Sequence, residues 1–146
     1  MNFKFFDRCS EFVDYYFDNE MSSDFELIEQ QFEKDRCYVS DNWISWCVVE
    51  LDNDAEPLAV IGVRKESPFP DTMHISSFVV NLKYRDLGFG KLTLETYINK
   101  YCDMPQVSLY AEEKNRGFYE KLGFEYQGQN LYLNHRLAKD QSVSSW

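Results

Sequence analysis

The sequence predicts a single domain of the α/β (α+β) class, and three observations support that expectation. Apolar residues recur at helical spacing near the start and again after Gly90. Between Ile44 and Val80 they follow the shorter period of strands. No linker, repeat or low-complexity tract divides the 146 residues, a length typical of one domain and sufficient to bury roughly 70% of the surface its unfolded form exposes.

Each element follows from local pattern. Phe5, Phe6, Cys9, Phe12, Val13, Tyr16 and Phe17 form one apolar stripe, with Asp7, Arg8, Glu11, Asp14 and Asp18 between them, which predicts an amphipathic helix. Ser22 or Ser23 can cap a second helix, with Asp24 and Glu26 in its first turn and Phe25, Ile28 and Phe32 on its apolar face. A strand is expected around Ile44 to Leu51, a turn at DNDAEP, and a second strand from Leu58 to Lys65, together a hairpin. The segment SPFPD, with Pro68 and Pro70, leads into a strand from Met73 to Val80. A helix then runs from near Gly90 to about Tyr101, and Val107 to Ala111 reads as a buried strand. Gly117 to Leu122 is a short helix stopped by Gly123, and Phe124 to Arg136 a final hairpin turning near Gly128. The domain is expected to span 1–137, with 138–146 a flexible tail lacking apolar period.

Composition narrows the function classes. An aromatic content of 17% makes Phe and Tyr the main core material. Twenty-five acidic against fifteen basic side chains give a net charge of −10, which repels phosphate backbones and favours approach by cations, so nucleic acid is not an expected partner. No stretch is apolar for long enough to span a bilayer, and the start MNFKFFDRCSEF lacks the plan of a signal peptide, so a soluble, cytoplasmic protein without a membrane partner is expected. Cys9, Cys37, Cys47 and Cys102 are scattered without a C-x-x-C pair, which predicts four reduced, buried thiols and no metal site.

The run FVVNLKYRDLGFGKLTLETYI holds the chemistry. A strand ends, a short turn contains Arg85-x-x-Gly88-x-Gly90, and a helix follows directly. The first amides of a helix have no intrahelical partner and lie at the positive end of its dipole, so a diphosphate can accept hydrogen bonds there. Glycines at 88 and 90 permit unusual backbone angles and remove side chains from the ligand's path. Lys83, Arg85 and Lys91 against the single carboxylate of Asp86 make a basic island in an acidic chain. One strand later comes NRGFYEKLGF, with Tyr119 on the short helix that Gly123 terminates.

The pair YRDLGFGK and GFYEKLGF resembles the two signature blocks of the GCN5-related N-acetyltransferases, the GNAT superfamily, in the expected order and separation. The resemblance implies a mixed central sheet of about six to seven strands flanked by about four helices. It implies acetyl-CoA as co-substrate, its diphosphate gripped by Arg85, Asp86, Leu87, Gly88, Phe89, Gly90 and Lys91, although the family usually has Gly where Asp86 stands. The pantetheine arm is implied to lie along Phe78, Val79 and Val80, with backbone amides holding the thioester carbonyl, and Tyr119 to be the general acid for the departing thiolate. It also makes a homodimer through the last strands compatible with the sequence.

An alkyl amine arrives as an ammonium and must lose a proton before attack. His74 is the candidate base. A strand period of two places it on the face of Ser76, Phe78 and Val80, and its ordinary pKa of about 6.5 suits the task. Some relatives carry a Glu at this place, and many use water alone. Where other relatives place a later Glu this sequence reads SLYAEEKN, with Tyr110 near that place and Glu112 and Glu113 further on, while His135 reads as structural or exposed. The resemblance implies an acceptor site built by the first two helices, their connection and the last hairpin, which would bring Asp18, Glu20 and Asp24 to one side and favour a cationic primary amine: a polyamine or other small amine, a lysine side chain or a protein N-terminus. The competing reading is a non-enzymatic acidic interaction module or acyl-CoA sensor. A flavin or nucleotide binder ranks behind both, because a strand-first G-x-G-x-x-G is missing.

Overall fold

A computed structural model describes residues 1–18, 25, 43–52 and 56–136. Their order is β1 (Asn2–Phe6), α1 (Cys9–Asp18), β2 (Ile44–Glu50), β3 (Ala59–Arg64), β4 (Thr72–Val80), α2 (Phe89–Tyr101), β5 (Gln106–Tyr110), α3 (Arg116–Lys121), β6 (Glu125–Gly128) and β7 (Leu131–Asn134). The strands form one seven-stranded mixed sheet in the order β1-β2-β3-β4-β5-β7-β6. Only the β4–β5 pair is parallel, and α2 supplies the crossover that a parallel connection needs. The expected mixed α/β architecture is therefore present, with three α-helices among the described residues. The second expected helix, apart from buried Phe25, and the expected tail lie outside the described residues.

Alternation along the strands builds two cores. Cys47 and Val49, Ala59 and Ile61, Val107 and Leu109 join Leu94, Tyr97 and Ile98 of α2 and Tyr119 of α3 on one face. Trp46, Val48 and Val60 join Phe12 and Tyr16 of α1, and Phe25, on the other. Phe12 stacks on Trp46 with ring centroids 4.7 Å apart. That indole needs the space of Gly62, where an added β-carbon would stand 2.8 Å from Trp46 Cζ3.

Three expectations are corrected. The helical stripe does not begin at Phe5: Asn2–Phe6 is an edge strand paired with β2, and the helix starts at Cys9. Phe3 and Phe5 alternate onto the face where Tyr101 packs, at centroid distances of 5.3 and 4.7 Å, and this aromatic contact with α2 outweighs the local helical spacing. The cysteines are not four reduced thiols, because Cys9 is disulfide-bonded, while Cys47 and Cys102 are free and buried. Finally, His74 does not share a face with Phe78 and Val80. In the β3–β4 register Gly62 faces Ser77 while Val63 faces Ile75, so Ser76 is an extra residue, a β-bulge that reverses the alternation. Ile75 and Met73 consequently join Phe78 and Val80 in the α2 core, and His74 turns to the α1 face.

Candidate active site

The site begins where β4 loses a neighbour. Thr72 to Ile75 pair with β5 on one side, but beyond the bulged Ser76 the residues Ser77 to Val80 pair only with β3. Asn81 N–H donates to Leu58 C=O at 2.8 Å, and strict alternation from that bond points the amide of Val79 at β3 and those of Phe78 and Val80 toward the open seam. Buried Asn81 fixes the exit from the strand. Its Nδ2 donates to Pro57 C=O at 3.1 Å and its side-chain oxygen accepts from Lys83 N–H at 3.1 Å, capping a single 3-10 turn at Leu82–Tyr84.

Beyond that turn the chain is built from left-handed residues. Asp86 has φ 64° and Gly88 φ 84°, and Gly88 serves as the N-cap of α2 with no side chain to satisfy the helix amides. The first helical bond runs from Leu92 N–H to Gly88 C=O at 3.1 Å, so the amides of Phe89, Gly90 and Lys91 precede it and are open to an anion. Gly90 lies where three elements approach: a β-carbon there would sit 3.5 Å from Val80 Cγ2 and 3.6 Å from the Phe118 ring. Arg85 Nε donates to Val80 C=O at 2.9 Å, tying the turn back to the open strand. Lys91 lies 3.9 Å from Glu95 on the next turn of α2, which moderates the basic island.

Tyr119 stands on the α2 face of the sheet. It is 8% exposed and ringed by Phe118, Phe124 and Tyr132 at centroid distances of 5.0, 5.8 and 5.3 Å. Burial, then the neighbouring Tyr132, pushes its phenol up to about 12, so it is protonated throughout the neutral range. Such a group is a hydrogen-bond donor by default.

His74 stands on the opposite face. It is 5% exposed, not a surface histidine, and its Nδ1 lies 2.7 Å from the Ser108 hydroxyl on β5. The Tyr110 ring meets it edge-on at 5.5 Å and Phe69 lies at 6.1 Å. Burial, reinforced by the positive charge of Arg64, lowers its pKa below 6.5 and keeps it neutral at pH 7. Sequence reasoning missed Arg64 and Ser108, because their placement beside His74 depends on pairings between distant strands. The signal that could have found Arg64 is an arginine falling in phase with Val60 and Gly62 on a strand. His135 is half-buried at the end of β7 and takes no part in this cluster.

These features have counterparts among known proteins. A model of the acetyltransferase (GNAT) family matches residues 7–124. The chain belongs to the GNAT acetyltransferase family. Its seven-stranded mixed sheet is the fold of that family in this sequence. The GNAT fold is shared with mutant forms of the spermidine/spermine N-acetyltransferase SpeG from Vibrio cholerae, at 14% identity and a TM-score of 0.62, covering 98% of each chain. It is shared with a putative acetyltransferase from an Exiguobacterium species at 18% identity and a TM-score of 0.60, covering 97% of this chain and 99% of that one. Tetrahymena GCN5 matches at 15% identity and a TM-score of 0.60, over 92% of this chain and 96% of its own. Among the described residues, no cluster of three or more His, Cys, Asp or Glu could hold a metal ion, and no helix is long and apolar enough to cross a membrane.

Proposed function

We propose that this GNAT domain transfers an acetyl or other short acyl group from acyl-CoA to a primary amine, by direct attack in a ternary complex. The observation that supports it is the seam along Ser76–Val80, which opens at one end onto a left-handed turn and bare helix amides. A diphosphate fits the turn and the amides of Phe89 to Lys91, and a pantetheine arm fits the unpaired edge of β4. The thioester supplies an activated acyl carbon. The protein supplies the groups around it.

The amide of Phe78 or Val80 is positioned to donate to oxygen as negative charge develops there, a fixed dipole that costs no reorganisation. Tyr119 lies on the α2 side, where it donates a hydrogen bond to the departing sulfur. With a phenol pKa near 12 against about 8.5 for an ordinary thiol, hydrogen bonding rather than full proton transfer is its main contribution. His74 lies on the α1 side, so the amine approaches from the face opposite the leaving group. A neutral imidazole of lowered pKa is too weak to strip a free alkylammonium. The acceptor therefore attacks as the free amine, having given its first proton to water, and His74 accepts the second proton once the new C–N bond raises the acidity of the nitrogen. The net charge of −10 steers ammonium acceptors toward the molecule at long range.

Calorimetry with acetyl-CoA, followed by thiol release in the presence of an amine panel, tests this reading. Saturable heat and amine-dependent thiol release are expected. Binding without turnover of any amine would favour an acyl-CoA sensor, and no binding would remove the donor site altogether.

A further inference from the structure

The α1 face of the sheet contains a row of polar side chains that the proposed transfer only partly uses. Val63 faces Ile75 across β3 and β4, so the next pair in that register sets Arg64 beside His74, and His74 faces Ser108 across β4 and β5. The three side chains share one face, since Ala59, Ile61 and Val63 of β3, Ile75 of β4, and Val107 and Leu109 of β5 all pack into the opposite core. The electrostatic influence of Arg64 on the imidazole agrees with this adjacency.

Arg64 is unusual among the arginines. Arg85 donates to Val80 C=O, Arg116 pairs with Glu120 at 3.0 Å, Arg136 donates to Cys102 C=O at 2.9 Å, and Arg8 also has a partner. Arg64 alone of the described arginines has none, and its Nε is buried without a hydrogen bond. A buried donor left unsatisfied costs about 1–3 kcal/mol, more when charged, so its retention points to a ligand that completes it. The guanidinium fork fits a carboxylate in particular, through two parallel N–H···O bonds.

We propose that Arg64 is a specificity-determining residue that binds a substrate carboxylate, so that the acceptor is a small amine bearing its own carboxylate, as an amino acid does. This rests on the acyl-transfer reading for its assignment to the acceptor. It also divides the electrostatics by distance. The overall negative charge draws in any ammonium, while at contact range the row beside His74 repels a second cation and rewards an anion next to the amine. A polyamine, all cation, is disfavoured there.

The test compares α-amino acids with their α-carboxamides and with the amines that remain after removal of the carboxyl group, in wild type, Arg64→Gln and Arg64→Lys. Wild type is expected to prefer the carboxylates by roughly 10- to 100-fold in kcat/KM. Measured at a pH well above the ordinary imidazole range, where His74 is neutral with or without the Arg64 charge, Arg64→Gln should abolish the preference through a loss on the carboxylates far larger than any change on the carboxamides, and Arg64→Lys should keep part of it, because charge survives and the fork does not. Equal losses on carboxylates and carboxamides in Arg64→Gln, or no preference in wild type, would overturn the proposal. A donor-side arm compares succinyl-CoA with acetyl-CoA on a carboxamide acceptor. An Arg64-dependent preference for succinyl-CoA alone would keep the carboxylate chemistry but overturn its assignment to the acceptor. Thermal shift with the amino acids in the absence of CoA gives a readout independent of activity. Arg64-dependent stabilisation without any turnover would uphold this binding site and sink the enzymatic reading. Turnover without discrimination would do the reverse.

Discussion

The two faces of the sheet solve different problems. On the α2 face, Leu94, Tyr97, Ile98 and Tyr119 continue the core across β2 to β7, so the proposed acid is embedded in packing that also holds the domain together. On the α1 face a compact aromatic cluster around Phe12 and Trp46 covers β2 and β3, and then gives way to Arg64, His74 and Ser108 on β3, β4 and β5. Stability and chemistry are superimposed on one face and placed side by side on the other. Substitutions can therefore separate them on the α1 face far more cleanly than on the α2 face.

The largest expected effect is on stability. Phe12→Ala removes a fully buried ring stacked on Trp46 and should cost about 3–5 kcal/mol, read as a lower denaturant midpoint. If coenzyme affinity at temperatures below the transition falls as well, the separation of the two faces is less complete than the packing indicates. Tyr119→Phe should lower kcat by about 100-fold while acetyl-CoA affinity measured by calorimetry is retained. Equal loss of both would assign Tyr119 to packing. Gly88→Ala places a β-carbon at φ 84° at the head of α2 and should cost about 1–2 kcal/mol, appearing mainly as weaker coenzyme binding because the strain falls on the phosphate turn.

The smallest effect is a pH dependence on the α1 face. His74 has a folded pKa below its ordinary 6.5, so the unfolded chain binds the proton more readily. Its contribution to stability is fully present above pH 6.5 and is lost as pH falls through the lowered folded value. The kcat/KM profile should fall over that same acid limb, as the base becomes protonated. His74→Asn should remove the His74 component from the stability curve, and an unchanged acid limb in kcat/KM would assign the deprotonation to water.

Much of the architecture was legible because it is written in short-range pattern. The strands at 44–50, 59–64 and 106–110 and the helix ending at Tyr101 lie within a residue or two of their expected bounds. The left-handed conformation of Gly88 follows from glycine spacing and the strand-to-helix switch, whereas Gly90 is an ordinary helical residue and the left-handed Asp86 has no glycine to announce it. What escaped notice depends on partners far along the chain. Phe5 and Phe6 read as helical until Tyr101 is placed against Phe5. The Ser76 bulge leaves no mark on composition, since two serines at a half-buried position satisfy either alternation. Nothing in the local sequence singles out Arg64, and only the register of three strands sets it beside His74 and Ser108.

The extra residue in β4 acts as a phase shift in an otherwise two-beat rhythm. Excising either Ser76 or Ser77 would restore the beat, and Ile75 and His74 would exchange sides. An aliphatic group would then face the incoming amine, and an imidazole would be driven among the rings and branched chains behind the sheet. In the proposed reaction, which side of the molecule receives the nucleophile is thus set by a count of residues rather than by their kind, and a one-codon deletion would do more harm than most replacements along the same strand.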